Sequence, residues 1–472
     1  MILAHIDQNK QSLNRTRPLR YFILPLGCQM NSSDTERITS VLEDMGYEPT
    51  SHEDEADLLG VVSCSVRQKA IDRVYGRIHQ WNKWKDKRSL ITFVSGCILP
   101  ADEKKFLKLF DLLFKIDDLP RLPDIFDQYG MVTPIRGISR KRAGIRTDFD
   151  THFWDIQPKY SSPFQAFVPI QNGCDKFCTF CAVPYTRGRE ISRGSKDILN
   201  EVGRLVEKGY KSITLLGQNV NSYGHDKKED AYFFKDLMED IGKIGTASKK
   251  DFWVYFTSPH PRDMTRDVLE TMAKYPCLAN NIHLPLQSGD DRILKKMNRS
   301  YTINHYENIV RWVREILPLA TLFTDIIVGF PDEEEEHFLG TRQAMDQFQF
   351  HMAYIAQYSP RPGAVSARWE DTVSANTKKS RFRILTTDLM RVASAQNEKQ
   401  AGKILPVLIE AEGRKKGFLM GKTEGRIPIR IASSDKSLIG SFALVRVTKS
   451  LSLSLEGEVD SLLPAGFLQN PS

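Results

Sequence analysis

The sequence predicts an α/β protein in three parts. These are an N-terminal parallel α/β domain, a central partial (β/α)6 barrel and a small antiparallel β-barrel at the C-terminal side. Three observations lead there. Short apolar runs alternate with helical patterns, three times before residue 130 and six times from Phe164 to about Pro362, the signature of βα units on a parallel sheet. Near Gly402 the pattern changes to short β-like runs broken by Gly, Lys and Asp. Between the first two parts lies a basic stretch without periodicity. The expected boundaries are a tail at 1–18, the first domain at 19–135, a linker at 136–162, the barrel with a following helix at 163–400, and the small β-barrel at 401–462.

Each repeat of the first domain ends its apolar run on a cysteine. YFILPLG leads to Cys28, before a helix that Ser33 and Glu36 can open as a capping box. ADLLGVVS leads to Cys64 and SVRQKAIDRVYGRIHQW; LITFVSG leads to Cys97 and EKKFLKLFDLL. Ligands of parallel sheets collect beyond the carboxyl ends of the strands. Cys28, Cys64 and Cys97 can therefore converge although far apart in sequence, as a set of three thiolates for a cluster. Read singly, each is equally a small buried apolar residue.

In the central part the strands read QAFVPIQ, SITLLGQ, FWVYFTS, NIHLPLQ, LFTDIIVGF and MAYIAQYS. Six units fall short of the eight of a closed barrel, and an open barrel can admit a macromolecule sideways. Polar residues at the strand ends, Gln218, Asn219, Ser258, Gln287, Asp325 and Tyr358, are candidates for lining a cofactor pocket, with turn and capping roles as the alternative. Cys277 belongs to no set and reads as an idle buried thiol. In the last part, residues 401–450 hold ten Lys and Arg against four Asp and Glu. That charge, with Phe418 and Phe442 available for stacking, points to RNA. The basic linker residues Arg136, Arg140, Lys141, Arg142 and Arg146 are a further candidate RNA contact.

The 472 residues carry a net charge of +7, with 41% apolar and 26% charged residues, ordinary for a soluble protein with several cores. Seven cysteines are too few for a disulfide scaffold at this length, and their odd number argues against full pairing; a reducing compartment and metal-bound thiolates fit better. The N-terminus has no apolar core long enough for a signal peptide, and no run approaches the roughly 20 apolar residues of a membrane helix. A cytoplasmic protein without a membrane partner is expected.

The stretch that organises the chain is GCDKFCTFCAVPYTRGRE, Gly173 to Glu190, which holds Cys174, Cys178 and Cys181. Three thiolates in so short a loop bind iron–sulfur or zinc. Structural zinc wants four protein ligands, and the closest further His residues are the distant His152 and His225. A cubane held by three thiolates keeps one iron open for a substrate or cofactor.

This spacing resembles the signature of the radical SAM enzymes. With GQNVN, TSPHPRDMT, LPLQSGDD, TDIIVGFP and YSPRPG further on, nearly the whole chain is similar to the methylthiotransferase family, and within it to the branch acting on isopentenyladenosine in tRNA. The C-terminal part resembles a TRAM domain. The resemblance implies two [4Fe–4S] clusters, one at Cys174, Cys178 and Cys181 whose open iron chelates S-adenosylmethionine, with Phe180 beside it, and an auxiliary one at Cys28, Cys64 and Cys97. The sequence departs from the family at Val62–Ser63, where Asn-Thr is common, and at Ile98–Leu99–Pro100, where a small residue and Gln are usual. These departures touch the surroundings of the auxiliary cluster, not its ligands.

The resemblance further implies two uses of S-adenosylmethionine, one methylating a sulfur on the auxiliary cluster and one yielding a 5′-deoxyadenosyl radical. A methylthio group then joins carbon 2 of a prenylated adenosine beside the anticodon. The implied partners are the tRNA anticodon stem-loop, an electron donor such as a flavodoxin-type protein, and an iron–sulfur or sulfur supplier. Arg187 and Arg189 are candidates for phosphate or base contact, pairing with Glu190 being the alternative. Three other readings stand beside this one: a sister enzyme acting on threonylcarbamoyladenosine or on a ribosomal-protein aspartate, a non-catalytic iron–sulfur carrier, and a zinc-stabilised RNA-binding protein. Formation of 5′-deoxyadenosine separates the enzymes from the last two.

Overall fold

The structure, a computed structural model, describes residues 3–4, 17–64, 68–128, 152–227, 231–464 and 466–469. Arg136, Arg140, Lys141, Arg142 and Arg146 of the expected basic linker lie outside the described residues, as does most of the expected tail. The chain divides into two compact units. The first comprises the described parts of Met1–Ser161 with Cys181–Arg189 and Arg361–Gly363, and the second Ser162–Phe180, Glu190–Pro360 and Ala364–Ser472.

In the first unit six strands make one sheet, in the order Leu3–Ala4, Leu112–Leu113, Ile91–Cys97, Leu58–Cys64, Arg20–Leu26 and Glu48–Pro49. All pairs are parallel except at the Leu3–Ala4 edge, a strand where a tail was expected. Leu58–Cys64 is buried along its whole length because apolar layers cover both faces, as parallel sheets require. Leu58 and Val62 pack with Ile38, Val41 and Leu42 of the helix Gln29–Asp44; Leu59 and Val61 pack with Ile71, Val74 and Trp81 of the helix Gln68–Lys85.

Two expectations fail here. The first helix starts at Gln29 with Cys28 as its N-cap, not at Ser33. Glu36 instead accepts from the Ser161 amide at 2.9 Å and its hydroxyl at 2.7 Å. The end of the expected linker is core: Phe153 and Trp154 are buried with Tyr47 and Phe126. Two aromatic side chains exclude more water there than a mobile connection could.

In the second unit the six expected parallel strands are all present, as Gln165–Pro169, Ser212–Leu216 and Trp253–Phe256 in one sheet and Asn281–His283, Thr321–Val328 and Met352–Gln357 in the other. A single bridge, Val254 to Leu278, runs beside the first set. The helix Ala375–Glu398, capped by Ser374 accepting from the Thr377 amide at 3.1 Å, leads to a closed barrel. Its strands are ordered Ile404–Glu412, Phe418–Thr423, Pro428–Ala432, Leu455–Leu462 and Phe442–Ser450. The Leu455–Leu462 strand was not foreseen, and it pairs parallel with Pro428–Ala432 in an otherwise antiparallel barrel.

The turn Glu424–Gly425–Arg426 of this barrel meets the amino ends of the central strands. The Tyr255 hydroxyl donates to the Glu424 carbonyl at 3.0 Å, the Thr321 hydroxyl to the Gly425 carbonyl at 2.7 Å, and Arg426 to the Thr214 hydroxyl at 2.8 Å. The Arg426 guanidinium sits 3.9 Å from the centre of the Tyr255 ring. A Cβ at Gly425 would lie 2.4 Å from Thr321 Cγ2, so only glycine fits that approach. The turn thereby contacts strands of both central sheets.

Candidate iron–sulfur and cofactor site

In the first unit, Cys64 and Cys97 are direct partners at the carboxyl ends of neighbouring parallel strands. Cys28 follows the third, two residues after Leu26, which pairs with Ser63. Asn31 ties the set together, a residue the sequence reading passed over. It is fully buried; its Oδ1 accepts from the Cys28 amide at 3.2 Å and its Nδ2 donates to the Ser63 carbonyl at 3.2 Å. Two glycines make room for it: a Cβ at Gly27 would lie 2.0 Å from Asn31 Oδ1, and one at Gly96, whose φ is +104°, 2.9 Å from Nδ2. The Cys97 thiol is pushed down to about 6, first by a hydrogen bond with Cys64 and further by the Arg187 charge, against its burial.

Arg187 closes the same site. Its Nε donates to Cys97 Sγ at 3.0 Å and its Nη1 to Asp34 at 3.3 Å. The side chain is 1% exposed. The structure therefore does not present Arg187 to RNA as expected: its donors turn inward to a thiol and a carboxylate. Arg189 is exposed.

In the second unit the strand ends carry a buried polar net. Asn221 and His260 exchange hydrogen bonds through Nδ2 to the His260 carbonyl at 3.0 Å and from the His260 amide to Oδ1 at 2.8 Å. Asn219 donates to Asp263 at 3.0 Å, and Lys176, two residues after Cys174, pairs with Asp263 as well. Burial works against the charge of Asp263, yet Lys176 and Asn219 hold its carboxyl below the usual range. Burial, then the Arg299 charge, pushes His260 down to about 2, so it is neutral. Its Nδ1 accepts from the Arg262 amide at 3.2 Å, which leaves the ring proton on Nε2. His260 Nε2, Gln218 Oε1 and Asn219 Oδ1 are buried without a partner among the described residues. They are one donor and two acceptors that a polar ligand could satisfy.

The other candidates are spread unevenly. Ser258 is exposed at φ +57°, and Gln287 lies at φ +70° and bridges to Ile326. Asp325 pairs with His283, a partner not foreseen from sequence. Tyr358 is buried with its hydroxyl donating to the Ser366 carbonyl at 3.0 Å. Phe180 packs in the same apolar cluster, with Phe330 and Tyr358. Glu190 accepts from the Ser222 hydroxyl, and burial raises its carboxyl to about 7.

Cys174 and Cys178 are buried and Cys181 half-buried, all free thiols. Burial pushes Cys174 up to about 11, and Arg299 donates to Cys178 Sγ at 3.3 Å. Among the described residues no group of three or more His, Cys, Asp or Glu side chains is gathered tightly enough for one metal ion. Cysteine thiolates are the donors that iron–sulfur clusters use, and Cys64 and Cys97 lie side by side on neighbouring strands. Cys277 is fully buried, its thiol pushed up to about 12 by desolvation, as an idle core thiol should be.

Three family profiles match in chain order: Uncharacterized protein family UPF0004 over residues 20–114, the Radical SAM superfamily over 168–345, and the TRAM domain over 398–459. Curated relatives named tRNA-2-methylthio-N(6)-dimethylallyladenosine synthase align almost end to end. The one from Dictyoglomus thermophilum is 36% identical, covering 93% of this chain and 98% of the relative. The one from Symbiobacterium thermophilum is 37% identical, covering 93% and 94%.

The chain belongs to that family.

Among solved structures, the radical S-adenosylmethionine methyltransferase TsrM from Kitasatospora setae superposes with a TM-score of 0.53 at 13% identity, covering 87% of this chain and 80% of that one, a likeness of fold. The match to the TRAM domain agrees with the closed five-stranded barrel. There the Phe418 ring is flanked by Lys415 and Arg430 at 5.0 and 4.9 Å. Phe442 is not available for base stacking as expected: it is buried with its ring centre 4.6 Å from that of Trp253. Among the described residues no helix is long and apolar enough to cross a membrane.

Proposed function

We propose that this protein attaches a methylthio group to carbon 2 of N6-isopentenyladenosine next to the anticodon of a tRNA. The observation that carries the reading is the gathering of Cys28, Cys64 and Cys97 at adjacent strand ends in a chain that also holds the Cys174, Cys178, Cys181 loop. An enzyme that only makes a radical needs one set; one that also delivers sulfur has use for both.

When bound, two [4Fe–4S] clusters and two molecules of S-adenosylmethionine would supply a sulfur atom, a methyl group and a carbon radical able to take a hydrogen no side-chain base could remove. Cys174, Cys178 and Cys181 would hold one cluster, and Cys28, Cys64 and Cys97 the other, with Asn31 fixing the last set. The His260 Nε2 proton and the Gln218 and Asn219 oxygens would orient S-adenosylmethionine, and the low basicity of His260 keeps that donor in place at any working pH. The exposed Arg189 would meet RNA phosphate, as would Arg414, Lys415 and Lys416 in the turn after Ile404–Glu412. The target base must leave its stack to be reached. A flavodoxin-type donor would deliver the electron and a sulfur supplier would rebuild the auxiliary site.

Two substitutions test the division of labour. Cys174→Ala should abolish 5′-deoxyadenosine formation; retained formation would contradict the assignment. Cys64→Ala should still form 5′-deoxyadenosine yet leave tRNA without the methylthio group by nucleoside mass spectrometry. Methylthiolated tRNA from Cys64→Ala would refute the sulfur-delivering role, and modification of threonylcarbamoyladenosine would move the chain to the sister activity.

A further inference from the structure

The cluster reading rests on cysteines, but the structure adds an ion pair to one set. Arg187 and Asp34 are sealed from solvent, their side chains 1% and 0% exposed. The cation lies against the thiol: Nε reaches Cys97 Sγ at 3.0 Å, while the carboxylate sits on the far side of the guanidinium, at Nη1 and Nη2. Asp34 belongs to the helix Gln29–Asp44, which opens at Cys28. The pair thus spans from one cysteine to the helix begun by another. Asp117 is a second carboxyl within reach of both charges, its own charge disfavoured first by burial.

Burying such a pair is costly unless its bonds are complete, and for stability alone an apolar contact would serve as well. The arginine at the other cysteine set differs. Arg299 also donates to a thiol, Cys178, but its further partners are the Tyr301 hydroxyl and the Pro285 carbonyl, which carry no formal negative charge. One thiol therefore faces a cation whose charge is offset by a carboxylate, the other a cation held by neutral groups.

We propose that Arg187 and Asp34 tune the reduction potential of the auxiliary cluster, acting in opposite senses through the Cys97 sulfur. This rests on the auxiliary cluster reading above. Reduction adds one negative charge to a cluster beside this buried ion pair. A guanidinium donating to a ligand sulfur stabilises that charge, and the carboxylate behind it withdraws part of the effect. Hydrogen bonds to the sulfurs and net charge are established levers on such potentials. Arg187 and Asp34 are positioning and tuning residues here; they touch a ligand, not the substrate.

The test uses the full chain carrying Cys174→Ala, Cys178→Ala and Cys181→Ala, so that any cluster present is the auxiliary one. It is loaded anaerobically with iron and sulfide and titrated with dithionite, which gives one electron per cluster and breaks no bond; the reduced form is read by electron paramagnetic resonance. Adding Asp34→Asn leaves the cation without its counter-charge, and the reduction equilibrium constant should rise about tenfold, ~59 mV for one electron. Adding Asp34→Asn with Arg187→Gln removes both charges and the fork, and the constant should fall below that of the parent. Arg187→Lys with Asp34 intact, keeping the charge, should stay nearer the parent than the double variant does. A purely structural role would move these variants together. Shifts of the same sign for Asp34→Asn and the double variant, or no shift, overturn the proposal; if the double variant fails to hold iron, the sign of the Asp34→Asn shift decides. A triple-alanine parent that binds no iron overturns the cluster reading and this proposal with it, whereas normal loading with unmoved potentials overturns this proposal alone.

Discussion

Replacing Asn31 by alanine should empty the auxiliary site while sparing the other. Asn31 makes two bonds that fix the Cys28 loop against the end of the Cys64 strand: Cys28 amide to Oδ1 and Nδ2 to the Ser63 carbonyl, both at 3.2 Å. Losing the bond to the buried Ser63 carbonyl costs about 1–3 kcal/mol, and losing that to the Cys28 amide, partly open to water, about 1. Together these make about 2–4 kcal/mol, which lowers the population of the closed loop by a factor of roughly 30 to 700. Three thiolates that no longer share a position lose most of their gain from preorganisation. Iron and acid-labile sulfide counted after anaerobic loading should fall from about eight to about four per chain. Asn31→Asp, which replaces the donor to Ser63 by a buried carboxylate oxygen facing that carbonyl, should lose at least as much iron as the alanine variant. An alanine variant that binds as much iron as the parent, and melts at the same temperature, would refute the reasoning.

Three further outcomes follow from other parts of the fold. Arg426→Ala removes a desolvated cation–π contact with Tyr255, worth about 2 kcal/mol, and a hydrogen bond to Thr214 worth about 1. It should lower the denaturant midpoint of unfolding while leaving RNA affinity within about twofold, since the turn faces the barrel; an unchanged midpoint would show that the turn bears no weight. Cutting the chain near Gly402, by contrast, should weaken RNA binding and also remove the turn's contacts with Tyr255, Thr321 and Thr214. Glu190, with a pKa of about 7 in the fold against roughly 4.5 in the unfolded chain, stabilises fully below pH 4.5 and loses that contribution as pH rises through 7. Moving a carboxyl that far corresponds to about 3 kcal/mol. Glu190→Gln should therefore gain stability relative to the parent by about that amount between pH 4.5 and pH 8 in chemical denaturation. Parallel pH profiles would contradict the buried protonated state.

Much of this was legible because the signals were periodic or local. The six central strands and the three repeats ending on cysteines follow from alternation of apolar runs and from where those runs stop. What escaped depended on contacts between distant residues. Asn31 reads as one polar residue in a helix until Ser63 lies beside it. Arg187 looked like an RNA contact because it follows a cysteine loop; only the fold brings Asp34 and Cys97 to its donors. Phe442 has the composition of a stacking residue, but Trp253, almost two hundred positions earlier, covers it. The strand Leu455–Leu462 was hidden because its neighbours in sequence, Ser and Glu, dilute the apolar pattern on the outward face. His260 stood inside a quoted motif and was passed over for Ser258. Its hydrogen bond to the Arg262 amide, which decides the tautomer, has no trace in the residue string.

The central claim is that one chain carries two three-cysteine iron–sulfur sites. Iron and sulfide counting with Mössbauer spectroscopy, on protein kept free of oxygen, tests it most directly. The account predicts about eight irons in cubane form, falling to about four when either Cys28, Cys64 and Cys97 or Cys174, Cys178 and Cys181 are replaced by alanine. About four irons in the parent, unchanged by replacing Cys28, Cys64 and Cys97, would contradict it.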